Sequence, residues 1–173
     1  MKFFYTVALC KYCFSLFCGR RALTGGENKK ITKEERLQLG FVAILGGFLY
    51  FYLENFVRGF SHYSMILCAG ISFYCIGYLS KMKRKQYSIF RLMALGALII
   101  TTFEFLTGIL VNIVLDLKVW NYENQPFHIL GQICLPYSLL WFFLALVPIF
   151  LQDYLGYLLF HQEKPSYCIN IFH

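Results

Sequence analysis

Charged residues are scarce in this chain and are missing altogether from long stretches of it. They make up 14% of its 173 residues, whereas apolar residues make up 58%. Soluble proteins average about 25% charged and 45–50% apolar residues. Residues 37–53, 63–80 and 129–152 contain no Asp, Glu, Lys or Arg. Because a water-soluble helix needs a polar outer face, these runs argue against a soluble globular protein.

Sequence motifs for binding nucleotides or hydrolysing substrates are also missing. The chain contains no G-x-x-x-x-G-K-S/T loop, no G-x-G-x-x-G turn, no H-E-x-x-H helix and no G-x-S-x-G elbow. Such motifs hold phosphates, a zinc ion or a nucleophilic serine. We therefore expect no cofactor, no metal and no catalytic residue of these classes. The sequence leaves enzyme activity open and favours its absence.

Four apolar segments are present, and we predict that each crosses a membrane. The segment at residues 92–115 would extend about 36 Å as a helix, against a hydrocarbon core of roughly 30 Å. The predicted fold is an all-α, polytopic transmembrane helical bundle. Its spans are predicted at about residues 37–57, 63–80, 92–115 and 129–151. They form a membrane domain over residues 33–160, which is followed by a tail at residues 161–173.

The first 32 residues form an apolar segment followed by a basic linker. Residues 3–18 are apolar and aromatic, but they are short for a span and Lys11 interrupts them. They form either a short fifth helix or an amphipathic segment at the membrane interface. Arg20 and Arg21 follow directly and would anchor the cytoplasmic end of a helix, which favours the fifth span.

The net charge of +7 is concentrated in two clusters. Six of the sixteen basic residues lie within residues 20–36, and five lie within residues 81–91. Two predicted spans separate the clusters, so both lie on the same side of the membrane. An excess of Lys and Arg predicts that this side is cytoplasmic. This placement indicates a lipid bilayer as the partner of the chain and argues against nucleic acid.

One acidic residue, Glu104, lies in the middle of the third span. A charged side chain at that depth costs roughly 2.5–3.5 kcal/mol on insertion scales, so it normally faces a protein interior or a wet cavity. Thr101, Glu104, Gly108 and Asn112 recur at spacings of three and four, which places them on one face of the helix. The stripe is either a hydrogen-bonded seam between helices or part of a site that binds a ligand or carries a proton.

A polar layer is predicted above Glu104, near the outer surface. Glu54, Asn112 and Gln132 each lie within about one turn of an outer helix end. Further polar and aromatic residues lie in the loops directly above: Arg58, His62, Trp120, Asn121, Tyr122 and His128. We predict an outward-facing pocket with Glu104 as its floor and residues 120–128 as its lid. Its walls would be Glu54, Arg58, Asn112 and Gln132.

Arg58 is expected to pair with Glu54, because residues four apart meet on one face of a helix. It should not reach Glu104, since a vertical gap above about 10 Å exceeds the span of one side chain. Glu104 must then be protonated, bonded to hydroxyl or amide groups, or hydrated.

The two loop histidines and the loop aromatics have other interpretations. His62 and His128 could approach each other, with Glu54 and Glu123 as further metal ligands, but no ligand spacing typical of a metal site accompanies them. Ordinary hydrated interfacial histidines are the alternative. Aromatic residues near a span end are typical of an interfacial belt. This interpretation applies to Trp120, Tyr122 and Phe127.

Three segments resemble a family of small bacterial membrane proteins described as putative ABC-transporter type IV. Residues 58–65 read RGFSHYSM and resemble the family's R-G-Y/F-S-H-W/Y-S-M loop. Residues 101–112 are similar to its T-x-x-E-x-x-x-G-x-x-x-N helix. Residues 120–135 are similar to its W-D-Y-S-x-x-P-F-N-x-x-G-Q/R-I-C-L segment. The resemblance covers about residues 40–157 and implies a transport-associated protein of a bacterial plasma membrane, in which residues 1 to about 30 are an addition.

Three positions depart from the family pattern. Asn121 stands where the family has Asp, Glu123 where it has Ser, and His128 where it has Asn. If the family's aspartate binds a cation or a proton, that role either is lost here or has passed to Glu123.

Three functions fit these features, and the first is favoured. A permease-like transport component would need a homo-oligomer or a partner, since four or five helices are few for a translocation path, and its ATPase would be a separate chain. A membrane-embedded enzyme acting on a lipid or envelope precursor would use Glu104 or Glu54 as acid or base and Arg58 as an anion clamp. A sensor or scaffold subunit would bind a ligand or partner without turnover.

Overall fold

The computed structural model describes residues 31–84, 86–162 and 167. These residues form α1 Lys33–Arg58, α2 Tyr63–Lys83, α3 Ile89–Gly108, a π-helical segment Ile109–Val114, α4 Leu135–Leu144 and α5 Leu146–Leu159. The structure is 73% helical, with no strand in the described ranges, so the all-α prediction is confirmed. The predicted fifth helix at residues 3–18 lies outside the described residues.

Within the described residues, four helical stretches are long and apolar enough to cross a membrane. They are Lys33–Arg58, Tyr63–Lys83, Ile89–Val114 and Leu135–Leu159. Many of their apolar side chains point outward; Phe56 is 90% exposed and Leu37 is 69% exposed. Such outward-facing apolar surface is stable in hydrocarbon, whereas in water it would drive aggregation. The prediction of a polytopic transmembrane bundle with four spans is therefore confirmed.

The first helix begins before its apolar run because a capping box supports it. Thr32 Oγ1 accepts a hydrogen bond from the Glu35 backbone N–H at 3.2 Å, and the Glu35 carboxylate accepts one from the Thr32 N–H at 2.9 Å. These two bonds satisfy N–H groups that have no partner inside the helix. α1 therefore starts at Lys33, earlier than the span predicted from residue 37.

The fourth span begins later than predicted, at Leu135 rather than at Ile129. Residues 129–134 form a compact turn, in which the Ile129 N–H donates to the Ile133 carbonyl at 2.9 Å. Gly131 adopts a φ of +66°, a left-handed conformation that glycine takes without strain. Pro136 then lies in the first helical turn, where its missing N–H removes no intrahelical hydrogen bond.

Pro148 interrupts the fourth span at Ala145, between α4 and α5. A proline at this position cannot donate to the carbonyl of Leu144, and its ring crowds that carbonyl. The two halves of the span consequently pack differently. α5 packs against α1 and α2, whereas α4 packs mainly against α3.

Close packing of α1 on α2 depends on two glycines that face each other. A Cβ atom at Gly47 would lie 2.5 Å from the Ile66 carbonyl oxygen, and one at Gly70 would lie 3.0 Å from the Ala43 carbonyl oxygen. Small residues allow such backbone approach between membrane helices. Gly40, earlier on the same helix, borders open space.

We predict that Gly47→Ala lowers the stability of the bundle and that Gly40→Ala does not. The new methyl group at residue 47 must displace a backbone carbonyl, and overpacking of this kind typically costs about 1–3 kcal/mol. At residue 40 the methyl group meets nothing within 4 Å, and better helix propensity should leave stability unchanged or raise it by about 0.5–1 kcal/mol. SDS-titrated unfolding in mixed micelles measures both. Equal effects of the two substitutions would contradict this packing.

Candidate functional site

The polar stripe of the third span faces α4 and the loop at residues 115–134. Hydrogen bonds or close packing join each member of the stripe to this part of the chain. The contacts are Thr101 to Ser138, Glu104 to Trp141 and Tyr122, Gly108 to Gln132, and Asn112 to Gln132. The stripe is thus a seam that attaches the fourth span to the third. Glu104 also forms part of the wall of a cavity.

Glu104 is sheltered from lipid and is bonded at both carboxylate oxygens. It is only 3% exposed. The Tyr122 hydroxyl donates to Oε1 at 3.0 Å, and the Trp141 indole N–H donates to Oε2 at 2.7 Å. Both donors are neutral, and no Lys, Arg or His of the described residues forms an ion pair with this carboxylate. Of the alternatives expected for Glu104, the structure therefore shows hydrogen bonding to neutral donors, and both donors belong to aromatic side chains.

Tyr122 reaches Glu104 because the loop that carries it folds inward. The Tyr122 N–H donates to the Gly131 carbonyl at 2.8 Å, and its ring stacks on Tyr137 with a centroid distance of 4.8 Å. Burial, together with the nearby Glu104 carboxylate, raises the pKa of Tyr122 well above its ordinary value. The hydroxyl therefore stays protonated and remains a donor, and Tyr122 is a core contact rather than part of an interfacial belt.

Glu104 forms part of the wall of a cavity of about 270 Å³. One water molecule needs only about 10–15 Å³ of such volume, so the space can hold a larger molecule. All four spans contribute to the wall, and most of the contributed side chains are apolar. They are Leu49, Tyr50, Leu53, Met65, Cys68, Ala69, Ser72, Phe73, Ile100, Glu104, Trp141, Leu144 and Val147. Of the site residues predicted from the sequence, Glu104 alone belongs to this wall.

Glu54 and Arg58 form the ion pair that their spacing predicts. Arg58 Nη1 lies 2.6 Å from Glu54 Oε1, and the Ser61 hydroxyl donates to the other carboxylate oxygen of Glu54. Arg58 Nη2 donates to the Val119 carbonyl at 3.3 Å. The pair therefore ties the end of α1 to the loop at residues 115–134. An anion clamp, as the enzyme hypothesis requires, would have to break this pairing.

Asn112 and Gln132 anchor the same loop from inside. The Asn112 amide donates to Gln132 Oε1 at 2.7 Å and accepts from the Val119 N–H at 2.7 Å. The Trp120 indole N–H donates to the Gln132 carbonyl at 3.1 Å, and Trp120 is only 5% exposed. Trp120 is thus a core residue, contrary to the belt interpretation. These residues hold the loop in place without lining the cavity.

The remaining predicted residues make local contacts at the surface of this end. His62 caps α2 by accepting from the Ser64 N–H at 3.3 Å, and His128 Nδ1 accepts from the Gly131 N–H at 3.3 Å. Asn121 and Glu123 are exposed and bond each other. Within the described ranges, no three His, Cys, Asp or Glu residues are grouped closely enough to hold a metal ion.

A second polar cluster, which was not predicted from the sequence, lies at the opposite end of the bundle. Lys81 Nζ lies 2.9 Å from the side-chain oxygens of both Gln38 and Gln162 and 3.6 Å from Glu35 Oε1. Gln38 Nε2 in turn donates to the Gln152 backbone carbonyl. This cluster joins α1, α2 and the end of α5. Long-range pairing of this kind leaves no local signal in the sequence.

Trp141 was also not predicted as a site residue, because a tryptophan inside an apolar run resembles any other large apolar residue. Its position five residues after Pro136 gives no indication that it faces Glu104. Its ring lies 6.0 Å from that of Tyr50, measured between centroids, so one side chain contacts both the carboxylate and α1.

We predict that Tyr122→Phe and Trp141→Phe each destabilise the bundle by about 1–3 kcal/mol, because each leaves a buried carboxylate with one donor fewer. Tyr137→Phe is the matched control, since it removes a hydroxyl from the adjacent ring without removing a Glu104 donor. The loss in Tyr122→Phe should shrink when Glu104 is already replaced by Gln or Leu. SDS-titrated unfolding of this double-mutant cycle provides the measurement. A coupling energy of zero between residues 104 and 122 would show that the hydrogen bond between them does not contribute to stability.

Comparison with known proteins agrees with the resemblance noted in the sequence. Comparison with the curated proteins found no match, and comparison with solved structures found none. A model of the family described as "Putative ABC-transporter type IV" matches residues 40–171, a range that includes the Glu104 helix, the inward-folded loop and the cavity wall. Together with the four apolar helices, this match shows that the chain is a multi-pass, transport-associated membrane protein that belongs to the Putative ABC-transporter type IV family.

Proposed function

We propose that this chain is the permease-like component of a bacterial transport system and that the Glu104 cavity receives the transported molecule. The observation that carries the proposal is a buried carboxylate, in the middle of a span, that borders a cavity of about 270 Å³. Ionisable groups inside membrane spans typically mark the pathways of substrates and ions.

A purely structural role accounts less well for this arrangement. Interhelical hydrogen bonds in membranes are worth only about 0.6 kcal/mol on average, whereas a charged side chain at the bilayer centre costs roughly 2.5–3.5 kcal/mol. A neutral side chain such as Gln would hold the seam between α3 and α4 at a lower free-energy cost of insertion. The cavity beside Glu104 supplies a reason for a carboxylate at this depth.

The energy source for transport would be a separate ATPase, since this chain has no nucleotide-binding motif. We infer that the ATPase docks at the end of the bundle that contains Lys81, which the positive-inside rule makes cytoplasmic. Arg84 is not included in this docking surface, because it forms an ion pair with Asp153 at 2.8 Å. Among the described residues, three basic side chains at this end are exposed: Lys33, Arg36 and Arg91. We expect these residues to form the docking surface.

We predict that the chain, purified under mild conditions from its native membranes after crosslinking, carries an ATPase that contains a G-x-x-x-x-G-K-S/T motif. The double substitution Arg36→Glu and Arg91→Glu should lower recovery of this ATPase at least tenfold, because charge reversal places repulsion at the contact. Quantitative mass spectrometry of the crosslinked complex measures the recovery.

Lys118→Glu is the matched control for that experiment. Lys118 is highly exposed at the opposite end of the bundle, so its reversal should leave the recovery unchanged. Isolation of the chain as a monomer, with no ATPase under any crosslinking condition, would contradict the proposed docking. Equal losses in the control and the double variant would point to a nonspecific effect of charge.

A further inference from the structure

We propose that the Glu104 cavity binds the end of a lipid hydrocarbon chain, which makes a lipid the substrate class of the proposed transport. The inference deepens the proposed function and rests on its assignment of the cavity as the site of the transported molecule. It follows from three features of the cavity: its apolar surface, its volume and its depth in the membrane.

Only apolar atoms are exposed to the space inside the cavity, although polar side chains belong to its wall. The Ser72 hydroxyl donates to the Cys68 carbonyl at 2.8 Å. The Trp141 indole N–H donates to Glu104 Oε2 at 2.7 Å, and the Tyr122 hydroxyl donates to Oε1 at 3.0 Å. Because these polar groups bond within the protein, the wall offers a ligand a carbon surface rather than a charge or a hydrogen bond.

Glu104 contributes to this apolar surface by accepting the Trp141 N–H. A buried indole N–H needs a partner, and without the carboxylate that partner would have to come from water or from the ligand. The bond to Glu104 therefore keeps a tryptophan in the wall of an apolar cavity. A charged ligand would lose its hydration in this space without gaining a partner, which is costly. A hydrocarbon chain has no polar group to satisfy.

The volume of the cavity suits the end of a long chain. The cavity measures about 270 Å³. An apolar protein cavity of about 150 Å³ stays dry and binds benzene, which has six carbon atoms. In proportion, the Glu104 cavity has room for about ten carbon atoms. The chain of a membrane lipid is longer than this, so its terminal part fits inside while the headgroup remains at the membrane surface.

The cavity lies at the depth of lipid chains in the half of the bilayer nearer to Arg58. Leu53 is five residues before the end of α1, which places it about 7.5 Å below that end. Val147 is 12 residues after the start of the fourth span, about 18 Å below the same end of the bundle. Since the hydrocarbon core is roughly 30 Å thick, the cavity extends from within one leaflet to about the middle of the bilayer.

The wall has an outer part that lipid can reach and an inner part that it cannot reach from outside. All four spans contribute partly exposed or exposed residues to the outer part: Leu49, Ala69, Phe73, Ile100 and Val147. We define the inner wall as Met65 and Cys68, which are only 5% and 7% exposed. A lipid chain that contacts the inner wall must therefore have entered the cavity.

The test uses the whole chain in phosphatidylcholine nanodiscs that contain a trace of phosphatidylcholine with a diazirine near the terminal methyl group of one chain. Illumination releases N₂ and leaves a carbene, which inserts into a neighbouring bond, and mass spectrometry of the digested protein locates the adducts. We expect adducts on the inner wall as well as on outward-facing residues such as Phe56. A second lipid, with the diazirine beside the ester group, should label the inner wall at least tenfold less, because the terminal part of the chain occupies the cavity.

A matched pair of variants tests the cavity itself. Ala69→Phe adds a ring to the cavity wall and should lower inner-wall labelling at least tenfold, while labelling of Phe56 stays unchanged. Ala94→Phe is the control, since Ala94 is exposed on α3 and does not belong to the cavity wall, and it should leave inner-wall labelling unchanged.

The comparison of the two diazirine positions uses the unsubstituted chain and so does not depend on the folding of either variant. Adducts confined to outward-facing residues, or equal labelling of the inner wall from both diazirine positions, overturns the inference.

The outcomes also separate this inference from the proposed function. An ATPase that co-purifies with a chain whose inner wall is not labelled would leave the transport assignment standing and refute the ligand class. Inner-wall labelling by the terminal diazirine, without any ATPase partner, would support the ligand class and refute the ATPase-coupled assignment.

Discussion

The structure of this protein depends on the need to satisfy a carboxylate in the middle of a membrane span. Hydrocarbon offers no hydrogen-bond donors, so Glu104 must find them within the protein. One donor, Trp141, comes from the next span, and the other, Tyr122, comes from the loop between the two spans. The loop consequently folds into the bundle instead of lying over it. The same requirement fixes the rotation of α4 against α3.

The polar side chains at the two ends of the bundle are stabilised in different ways. At the end that contains Lys81, polar side chains bond one another across three helices, and Gln38 is fully buried. At the other end, Glu54 and Arg58 hold the loop while the cavity below remains open and largely apolar. The bundle is therefore tightly joined at one end and leaves internal space nearer the other. Pro148 contributes to this difference, since it divides the fourth span into two segments with different packing partners.

Much of the fold could be predicted from the sequence because hydrophobic length is a local property. The four spans follow from the apolar runs. Their exact ends were less predictable. The start of the fourth helix at Leu135 depends on a turn around Gly131 that pairs backbone groups in the loop. Periodicity cannot distinguish such a turn from a helix in an apolar run.

The site was predicted only in part. Spacing placed Thr101, Glu104 and Asn112 on one face, and that face does meet the rest of the bundle. The residues predicted as walls and lid instead bond to one another, to the loop backbone and, through Tyr122, to Glu104. Mainly aromatic and aliphatic side chains from all four spans line the cavity. Helix spacing records which residues share a face of one helix, but it holds no information about the partner that the face will meet.

The sequence by itself determined that this protein crosses the membrane four times within its described part and that Glu104 lies at mid-depth, because span length and depth are counted along a single segment. The tertiary structure alone decided that Tyr122 and Trp141 satisfy Glu104, that Lys81 and Arg84 turn inward, and that a cavity opens beside the fourth span. These features join residues far apart in the chain, and their energies depend on helix rotation and loop path, which no local pattern specifies.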